Sequence, residues 1–191
     1  IAPDGSSFAI VRADGLGQRL EYPIGTTLYR TLGWISSPRI SRDSRRVAFA
    51  DHPILGDDQG TVAIVEPGGV PRTLSEPLNF LHGVAWSAAG GEVLASYGST
   101  REGAFVTEFS PTGPARTLLR LMTTSRLHDV AANGALLLTA DSVPISIEGR
   151  LAEGLARLAI GSGTGAVVGG ISEDGTIMIG TAGGSLEQGE Y

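Results

Sequence analysis

Short apolar runs alternate along this chain with turns of small and polar residues. A five-residue turn of this kind recurs five times, at residues 2–6, 41–45, 87–91, 131–135 and 172–176. An apolar run follows each copy, at residues 8–11, 47–50, 93–96, 136–139 and 177–180. Brief runs that are apolar at consecutive positions predict strands covered on both faces. The pattern therefore predicts an all-β chain built from repeats.

The spacing of the turns is typical of a four-stranded propeller blade. Their third residues stand at positions 4, 43, 89, 133 and 174, a period of roughly 40 to 45 residues. A second landmark keeps the same period, because Arg-Thr-Leu begins at Arg30, Arg72 and Arg116, and Arg157-Leu158 follows. Two landmarks with one period predict a β-propeller of about five WD-like blades, some of them incomplete. The repeats cover approximately residues 1–35, 36–80, 81–125, 126–166 and 167–191.

Two further strands are expected in each blade. One ends just before the turn, at a position that we expect to be core in every copy: Ile1, Ile40, Trp86, Val130 and Ile171. The other, at residues 18–22, 61–65 and 104–108, alternates more, and Pro-Gly-Gly or Pro-Thr-Gly turns follow its second and third copies. Residues 147–158 show apolar positions at helical spacing, but Gly149 and Gly154 interrupt them. We therefore predict loop and strand there.

The chain is long enough to bury one core, so we interpret residues 1–191 as a single propeller domain or a partial one. It opens at Ile1 rather than at methionine, and the repeats start within one blade and stop within another. We therefore favour a piece of a larger propeller over five repeats that close on themselves. Open blade edges would then allow self-association.

The repeat itself resembles a known family. Ser/Ala-x-Asp/Asn-Gly, an apolar run, a loop, a second run and a Gly-Gly or Thr-Gly turn are similar to the WD-like repeats of TolB-type propellers. The resemblance covers essentially the whole chain, although Ser44 replaces the usual turn glycine and Ala89 the usual aspartate. It implies an extracytoplasmic or periplasmic location. The lack of cysteine fits any compartment without disulfide bonds.

Three segments resemble, more narrowly, the propeller region that follows the kinase domain in some bacterial serine/threonine protein kinases. They are residues 20–25 (Leu-Glu-Tyr-Pro-Ile-Gly), 33–36 (Gly-Trp-Ile-Ser) and 47–53, the last with Gly56-Asp57-Asp58. The phosphate loop, catalytic loop and metal motif of a kinase have no counterpart here. The resemblance implies a non-catalytic sensor or scaffold that binds a protein partner or a small ligand at the propeller face.

Two other classes of function stay open. The chain could be the substrate-gating propeller of a prolyl-oligopeptidase-type serine peptidase, or a TolB-like periplasmic interaction protein. A small propeller hydrolase complete in itself is a further alternative, which requires paired carboxylates on the inner strands. Asp129 stands almost alone there. We therefore expect no enzyme activity from this chain, and we assign no catalytic residue and no cofactor.

One loop carries residues that could bind a divalent cation. Asp51, His52, Asp57 and Asp58 place three carboxylates and an imidazole within eight positions. Their spacing does not match the EF-hand pattern, and oxygen-rich loops between strands are commonly solvated turns. We therefore assign no metal site.

Two histidines and one glycine-rich segment complete the candidates. His82 and His128 fall on predicted first strands and on one face, where they could meet a ligand in the channel, although a structural role is favoured. The segment 161–165 (Gly-Ser-Gly-Thr-Gly) has no helix after it, so it matches neither a nucleophile elbow nor a dinucleotide fingerprint. We interpret it as a turn.

The charge of the chain narrows the choice of partners. With 14 basic and 20 acidic residues the net charge is −6, which disfavours nucleic acid. The basic residues cluster only at Arg39, Arg42, Arg45 and Arg46, which we interpret as a solvated face, with a docking patch for an acidic partner as the alternative. No apolar run approaches the ~18 residues of a membrane span.

Overall fold

The computed structural model describes residues 1–99, 103–140, 145–149, 158–163, 166–171, 173 and 177–181. These residues form strands and turns, with no helix among them. The strands are β1 (Ile10–Asp14), β2 (Gly17–Glu21), β3 (Thr27–Thr31), β4 (Trp34–Ile40), β5 (Val47–His52), β6 (Thr61–Val65), β7 (Arg72–Thr73), β8 (Gly83–Trp86), β9 (Val93–Ser99), β10 (Gly103–Phe109), β11 (Arg116–Leu121), β12 (Ser125–Val130), β13 (Leu136–Ala140), β14 (Ile145–Gly149), β15 (Leu158–Gly163), β16 (Ala166–Ile171) and β17 (Ile177–Thr181). The all-β prediction is confirmed.

The chain divides into two compact units, residues 1–140 and 141–191. In the first unit, β4 to β7 and β8 to β11 form two four-stranded sheets, β1 to β3 a three-stranded sheet, and β12 and β13 a pair. In the second unit, β14 pairs with β15 and β16 with β17. Every pairing is antiparallel and joins strands that follow one another in the chain. The sheets are therefore meanders, as expected for blades.

The recurring turn has one geometry in the four copies that the structure describes in full. The amide of the fourth residue donates to the carbonyl of the first at 2.9 Å in each: Gly5 to Ala2, Ser44 to Ser41, Gly90 to Ser87, and Gly134 to Ala131. The fourth residue has a positive φ every time, which explains why glycine is preferred there. Ser44 adopts the same conformation with φ 58°. The copy at 172–176 lies largely outside the described residues.

The third residue of the turn explains the preference for aspartate or asparagine. Its side-chain oxygen accepts the backbone amide two positions later, in Asp4 to Ser6, Asp43 to Arg45 and Asn133 to Ala135. Such a bond stabilises a tight turn locally. Ala89 cannot form it, and in that copy the Ser87 hydroxyl accepts the amides of Gly90 and Glu92 instead.

Most predicted strands lie where the apolar pattern placed them. The runs at 47–50, 93–96, 136–139 and 177–180 lie within β5, β9, β13 and β17, and the segment 61–65 is β6. The first run was misplaced, because β1 begins at Ile10 and Phe8 is exposed. Between 147 and 158, β14 ends at Gly149 and β15 begins at Leu158, and the residues between them lie outside the description.

The predicted core position before each turn is confirmed in the second, third and fourth copies but not in the first. Ile40, Trp86 and Val130 are buried at the ends of β4, β8 and β12. Ile1 is 72 % exposed, because it lies in no strand and β1 pairs only with β2. Ile171 ends β16, but its side chain is outside the description.

The apolar core lies between successive sheets of the first unit. Alternate residues of β5 point to opposite sides: Val47 and Phe49 join a cluster with the first sheet, and Ala48 and Ala50 join a cluster with the third. Similarly, Leu94 of β9 packs in a third cluster toward β12. Burial on both faces explains why these strands are apolar throughout, because a sheet sandwiched between neighbours has no solvent-facing side.

Two of the four clustered arginines connect strands of different sheets. The Arg39 guanidinium donates through Nη2 to the carbonyl of His128 at 3.0 Å, and Arg42 donates to the carbonyl of Val130 at 3.0 Å. The interpretation of this cluster as a solvated face is wrong for Arg39, which is half-buried, whereas Arg42 is exposed and still makes this bond. The reason for the Arg39 bond is a register shift in each of two strands, because β4 bulges before Arg39 and β12 bulges at His128. A bulge leaves the extra residue outside the strand pairing, so its carbonyl can accept another donor.

A third arginine of this cluster covers the core. The Arg46 guanidinium lies 4.7 Å from the centroid of the Trp86 ring and donates to the Gly90 carbonyl at 2.9 Å. The Trp86 indole in turn donates to the Arg39 carbonyl at 2.8 Å. Arg42 and Arg45 keep the exposed position that the sequence suggested for all four, and of these two Arg42 also bonds to β12.

Candidate functional site

One end of the sheets in the first unit is formed by a distinct set of connections. In a meander, successive connections alternate between the two ends of the sheet. The connections within a sheet at 15–16 and 53–60 therefore share an end with the connections between sheets at 32–33, 74–82 and 122–124. We call this end the loop face. The recurring turns and the turn at 67–69 lie at the opposite end.

Each of these five connections exposes at least one large apolar side chain. They are Leu16, Leu32, Ile54, Leu55, Phe80 and Met122. Leu16 and Met122 are each 92 % exposed. At the opposite end, Ile1, Phe8 and Ile24 are exposed on the first sheet and Val70 on the second. In the described part of the first unit, the loop face therefore exposes apolar side chains on each of these five connections, whereas those at the opposite end are confined to the first two sheets.

The long connection 53–60 is anchored by a buried histidine. The His52 ring is fully buried and stacks on Trp34, with centroids 3.8 Å apart and planes at 10°. Its Nδ1 lies 3.2 Å from the Gln59 carbonyl, and its Nε2 lies 2.9 Å from Ser36 Oγ. The Trp34 indole donates to the Asp57 carbonyl at 3.0 Å. These bonds hold the C-terminal half of the loop against β4 and β5.

The electrostatics of His52 suit a structural role. Burial lowers its pKa, although the Gln59 carbonyl and the nearby carboxylates oppose that change. The ring is therefore neutral at pH 7, with Nδ1 donating to the Gln59 carbonyl and Nε2 accepting the Ser36 hydroxyl proton. Ser36 and His52 have the spacing of a nucleophile and its base. No solvent reaches the imidazole, however, and a main-chain carbonyl rather than a carboxylate orients it.

Three of the four residues considered for a metal site, with His52 among them, use their side chains in other hydrogen bonds. Asp51 Oδ2 accepts the Tyr29 hydroxyl at 2.8 Å, and Asp57 Oδ1 accepts the Gln59 amide at 2.9 Å. Within the described part of the chain, no three His, Asp or Glu side chains are placed to hold a metal ion.

The other sequence candidates have different partners. The His82 ring lies 6.2 Å from the Phe80 ring, whereas His128 Nε2 lies 2.9 Å from Thr139 Oγ1. The bulge at His128 interrupts the alternation of β12, so the argument that put both histidines on one face does not hold. Asp129 accepts the neighbouring Val130 amide at 2.8 Å. Residues 161–163 are the last three of β15 rather than a turn, and 164–165 lie outside the description.

A cleft of about 450 Å³ opens on the loop face. Its lining residues are Leu55, Gly56, Asp57, Asp58, Gln59, Asn79 and Phe80. The Gln59 side-chain amide donates to Asn79 Oδ1 at 2.9 Å and so joins the two walls. Phe80 has a φ of 50°, which is rare for a bulky side chain, and its ring is 41 % exposed at this cleft.

Sequence reasoning missed this cleft as a site. The available signals were two apolar residues before Gly56 in an acidic loop, and an Asn-Phe pair in the connection that follows the next turn. Nothing in the sequence places these segments side by side, because β6 and β7 lie between them in the chain. The bridge between Gly60 and Leu78 brings them together in the structure.

The bond between Tyr29 and Asp51 predicts a loss of stability at alkaline pH. Burial, and then the Asp51 carboxylate, raise the pKa of Tyr29 from 10.0 to about 12. The folded state therefore holds this proton more tightly than the unfolded state. The stabilisation is complete below pH 10 and is lost as the pH rises from 10 to about 12. The chain has no lysine, so few other groups titrate in that window.

The measurement is thermal unfolding of wild type and Tyr29→Phe between pH 8 and 12. At pH 8 we expect the variant to be less stable by about 1–3 kcal/mol, because Asp51 loses its donor. The difference should shrink above pH 10. Tyr97→Phe is the control, since the Tyr97 hydroxyl contacts Thr107 rather than a carboxylate. A constant difference across the whole range would contradict the assignment.

Comparison with solved structures identifies the architecture. TolB from Acinetobacter baumannii matches with a TM-score of 0.55 at 13% identity, over 93% of this chain and 48% of that chain. The fold is that of a TolB-like β-propeller. The structure of a prolyl endopeptidase also matches. Its TM-score is 0.53 at 13% identity, over 90% of this chain and 30% of the endopeptidase chain.

This TolB-like chain thus spans about half the length of TolB and less than a third of the endopeptidase. At this identity the likeness concerns the fold alone. No protein-family model matches the sequence, and no curated protein is significantly similar to it. Among the described residues there is no helix with the length and apolar character needed to cross a membrane.

Proposed function

We propose that this chain is a non-catalytic propeller module that binds a protein partner on its loop face. The observation that carries the proposal is the exposure of large apolar side chains on every one of the five loop-face connections defined above. Apolar groups that extend across a surface favour association with another protein, because burying them releases ordered water. The acidic net charge of −6 favours a basic or neutral partner over nucleic acid.

The absence of catalysis is part of the same proposal. Ser36 and His52 are the one pair discussed above that has the spacing of a hydrolase nucleophile and base, and the imidazole is sealed from solvent beneath Trp34. We expect no hydrolysis of peptide, ester or glycoside substrates by the chain. Turnover that Ser36→Ala abolishes would contradict this expectation and would favour a hydrolase.

The natural context that we propose is the region after the kinase domain of a bacterial serine/threonine kinase, as a sensor or scaffold. Two of the segments that resemble such regions contain Trp34 and His52. These two side chains stack on each other, so the segments are in contact in the structure. A substrate-gating propeller of a prolyl-oligopeptidase-type peptidase is the second candidate, supported by the likeness in fold to the endopeptidase. The coding sequence that flanks this chain discriminates between them. A kinase domain upstream supports the first, and a downstream Gly-x-Ser-x-Gly motif supports the second.

Site-specific photo-crosslinking tests the docking face. A benzophenone amino acid at Leu32 or Met122 should capture one identified partner in cells of the source organism, and at Val70 it should not. Val70 is the matched control, because it is as exposed as Leu32 and lies at the opposite end of the sheets.

Binding is then measured with purified partner and chain. Leu32→Asp should weaken it at least about tenfold, because a charge replaces a buried apolar contact, while Val70→Asp should leave it unchanged. Equal capture at both ends, or equal binding by both variants, would contradict docking on the loop face.

A further inference from the structure

We infer that the cleft between the connections 53–60 and 74–82 binds the guanidinium group of an arginine side chain in an extended segment of the partner. This inference rests on the proposed function, because it names the chemistry of the group that the loop face receives. It is carried by the volume of the cleft, its aromatic wall and the unpaired charge of its lining.

The charge of the cleft is negative and not neutralised by the described residues. Asp57 and Asp58 both line it, and no basic side chain does. All five ion pairs of the described residues lie elsewhere, on Asp14, Glu21 and Glu108. Two carboxylates without a cation favour a cationic ligand.

Both aspartates line the cleft, and the backbone of each is held by a hydrogen bond. Trp34 donates to the Asp57 carbonyl, and the Leu81 amide donates to the Asp58 carbonyl at 3.0 Å. Only Oδ1 of Asp57 is used, by the Gln59 amide. Acceptor positions therefore remain on both carboxylates.

The aromatic wall selects among cations. Phe80 has a positive φ, and its side chain is partly exposed. The centroid of the His82 ring lies 6.2 Å from the centroid of the Phe80 ring. A planar guanidinium can stack on such a ring while its N–H groups bond to a carboxylate, which an ammonium ion does less well. Leu55 offers an apolar surface for the alkyl part of the same side chain.

The size of the cleft fits a side chain with its flanking backbone. About 450 Å³ lies within the range of sites for small ligands and exceeds what one guanidinium group fills. The bond between Gln59 and Asn79 joins the two connections that line the cleft and so holds them together.

The test is a titration of the whole chain, labelled with ¹⁵N, with N-acetyl-arginine N-methylamide. The matched probe is N-acetyl-citrulline N-methylamide, which has nearly the same shape and no charge. We expect saturable shifts of the Gln59 and Asn79 side-chain amides and of the Gly56 amide. The citrulline probe should bind at least about tenfold more weakly, and added salt should weaken only the arginine probe.

Variants assign the contacts. Asp57→Asn and Asp58→Asn should each reduce affinity for the arginine probe, whereas Asp4→Asn, which changes the net charge equally at the opposite end, should not. Asn keeps the Oδ1 acceptor that Asp57 offers to Gln59, so the loop should remain folded. Phe80→Leu should also weaken binding, by loss of the aromatic face.

Several outcomes would overturn the inference. They are equal binding of both probes, shifts that fall outside the cleft, or no saturable shift in a chain whose spectrum shows it folded. Failure here leaves the proposed docking function to be judged by crosslinking at Leu32 and Met122, because neither residue lines the cleft. Crosslinking at those two positions without arginine binding would mean that the partner docks through apolar contacts alone.

Discussion

Replacing Trp86 by alanine is expected to destabilise the first unit by about 3–5 kcal/mol, the cost of removing a large buried aromatic side chain. Trp86 is 5 % exposed at the end of β8 and packs in the cluster between the second and third sheets. Its indole donates to Arg39, and Arg46 lies over its ring. A loss of this size is a large fraction of the stability of a typical domain.

Urea unfolding followed by far-UV circular dichroism measures this loss, since the substitution removes one of the two tryptophans that report by fluorescence. Trp86→Phe separates the two contributions. It keeps an aromatic ring in the core but leaves the Arg39 carbonyl without its donor, so it should cost less than the alanine variant. A loss below about 1 kcal/mol for Trp86→Ala would mean that the ring is not in the core.

Substitution of Gly83 by alanine should also be severe, at about 2–3 kcal/mol or more, although it adds only one methyl group. A Cβ at Gly83 would lie 2.1 Å from the carbonyl oxygen of Leu127 in β12. The obstacle is backbone, so neither strand can relieve the contact by a change of rotamer. The close approach also explains why the Leu127 amide reaches Ser96 Oγ, at 2.9 Å.

Gly91→Ala is the matched control for Gly83→Ala. Gly91 has no atom within 4 Å of an added Cβ, so alanine should leave stability unchanged or raise it slightly. Urea unfolding of both variants and of wild type measures the change in the free energy of unfolding that each substitution causes. Equal effects of the two substitutions would contradict the close packing of β8 against β12.

The apolar pattern alone predicted most of the architecture because the blade repeat is a local unit. A turn whose fourth residue needs a positive φ demands glycine, and a strand buried on both faces demands consecutive apolar residues. Both requirements are readable in five or ten adjacent residues. The strands β5, β6 and β9 therefore lie where the sequence predicted them.

The exceptions arise where the tertiary structure overrides the local pattern. Phe8 and Ile1 were placed in strand and core, yet both are exposed, since an apolar residue is buried only if a neighbouring strand covers it. The sequence pattern indicated a solvated position for Arg39 because it does not show the bulges in β4 and β12. These bulges bring Arg39 to the carbonyl of His128, almost 90 residues away.

The sequence by itself thus determined the strands, the recurring turn and the all-β class, through requirements on φ and on burial that act over a few residues. Only the tertiary structure decided which side chains share a surface. The loop 53–60 meets the connection 74–82 through the bridge of Gly60 with Leu78, and this contact creates the cleft. The sequence marked Asp57 and Asp58 only as residues that could bind a metal ion, whereas in the structure they line this cleft. The sequence could not show this, because the position of a side chain depends on contacts between segments that are distant in the chain.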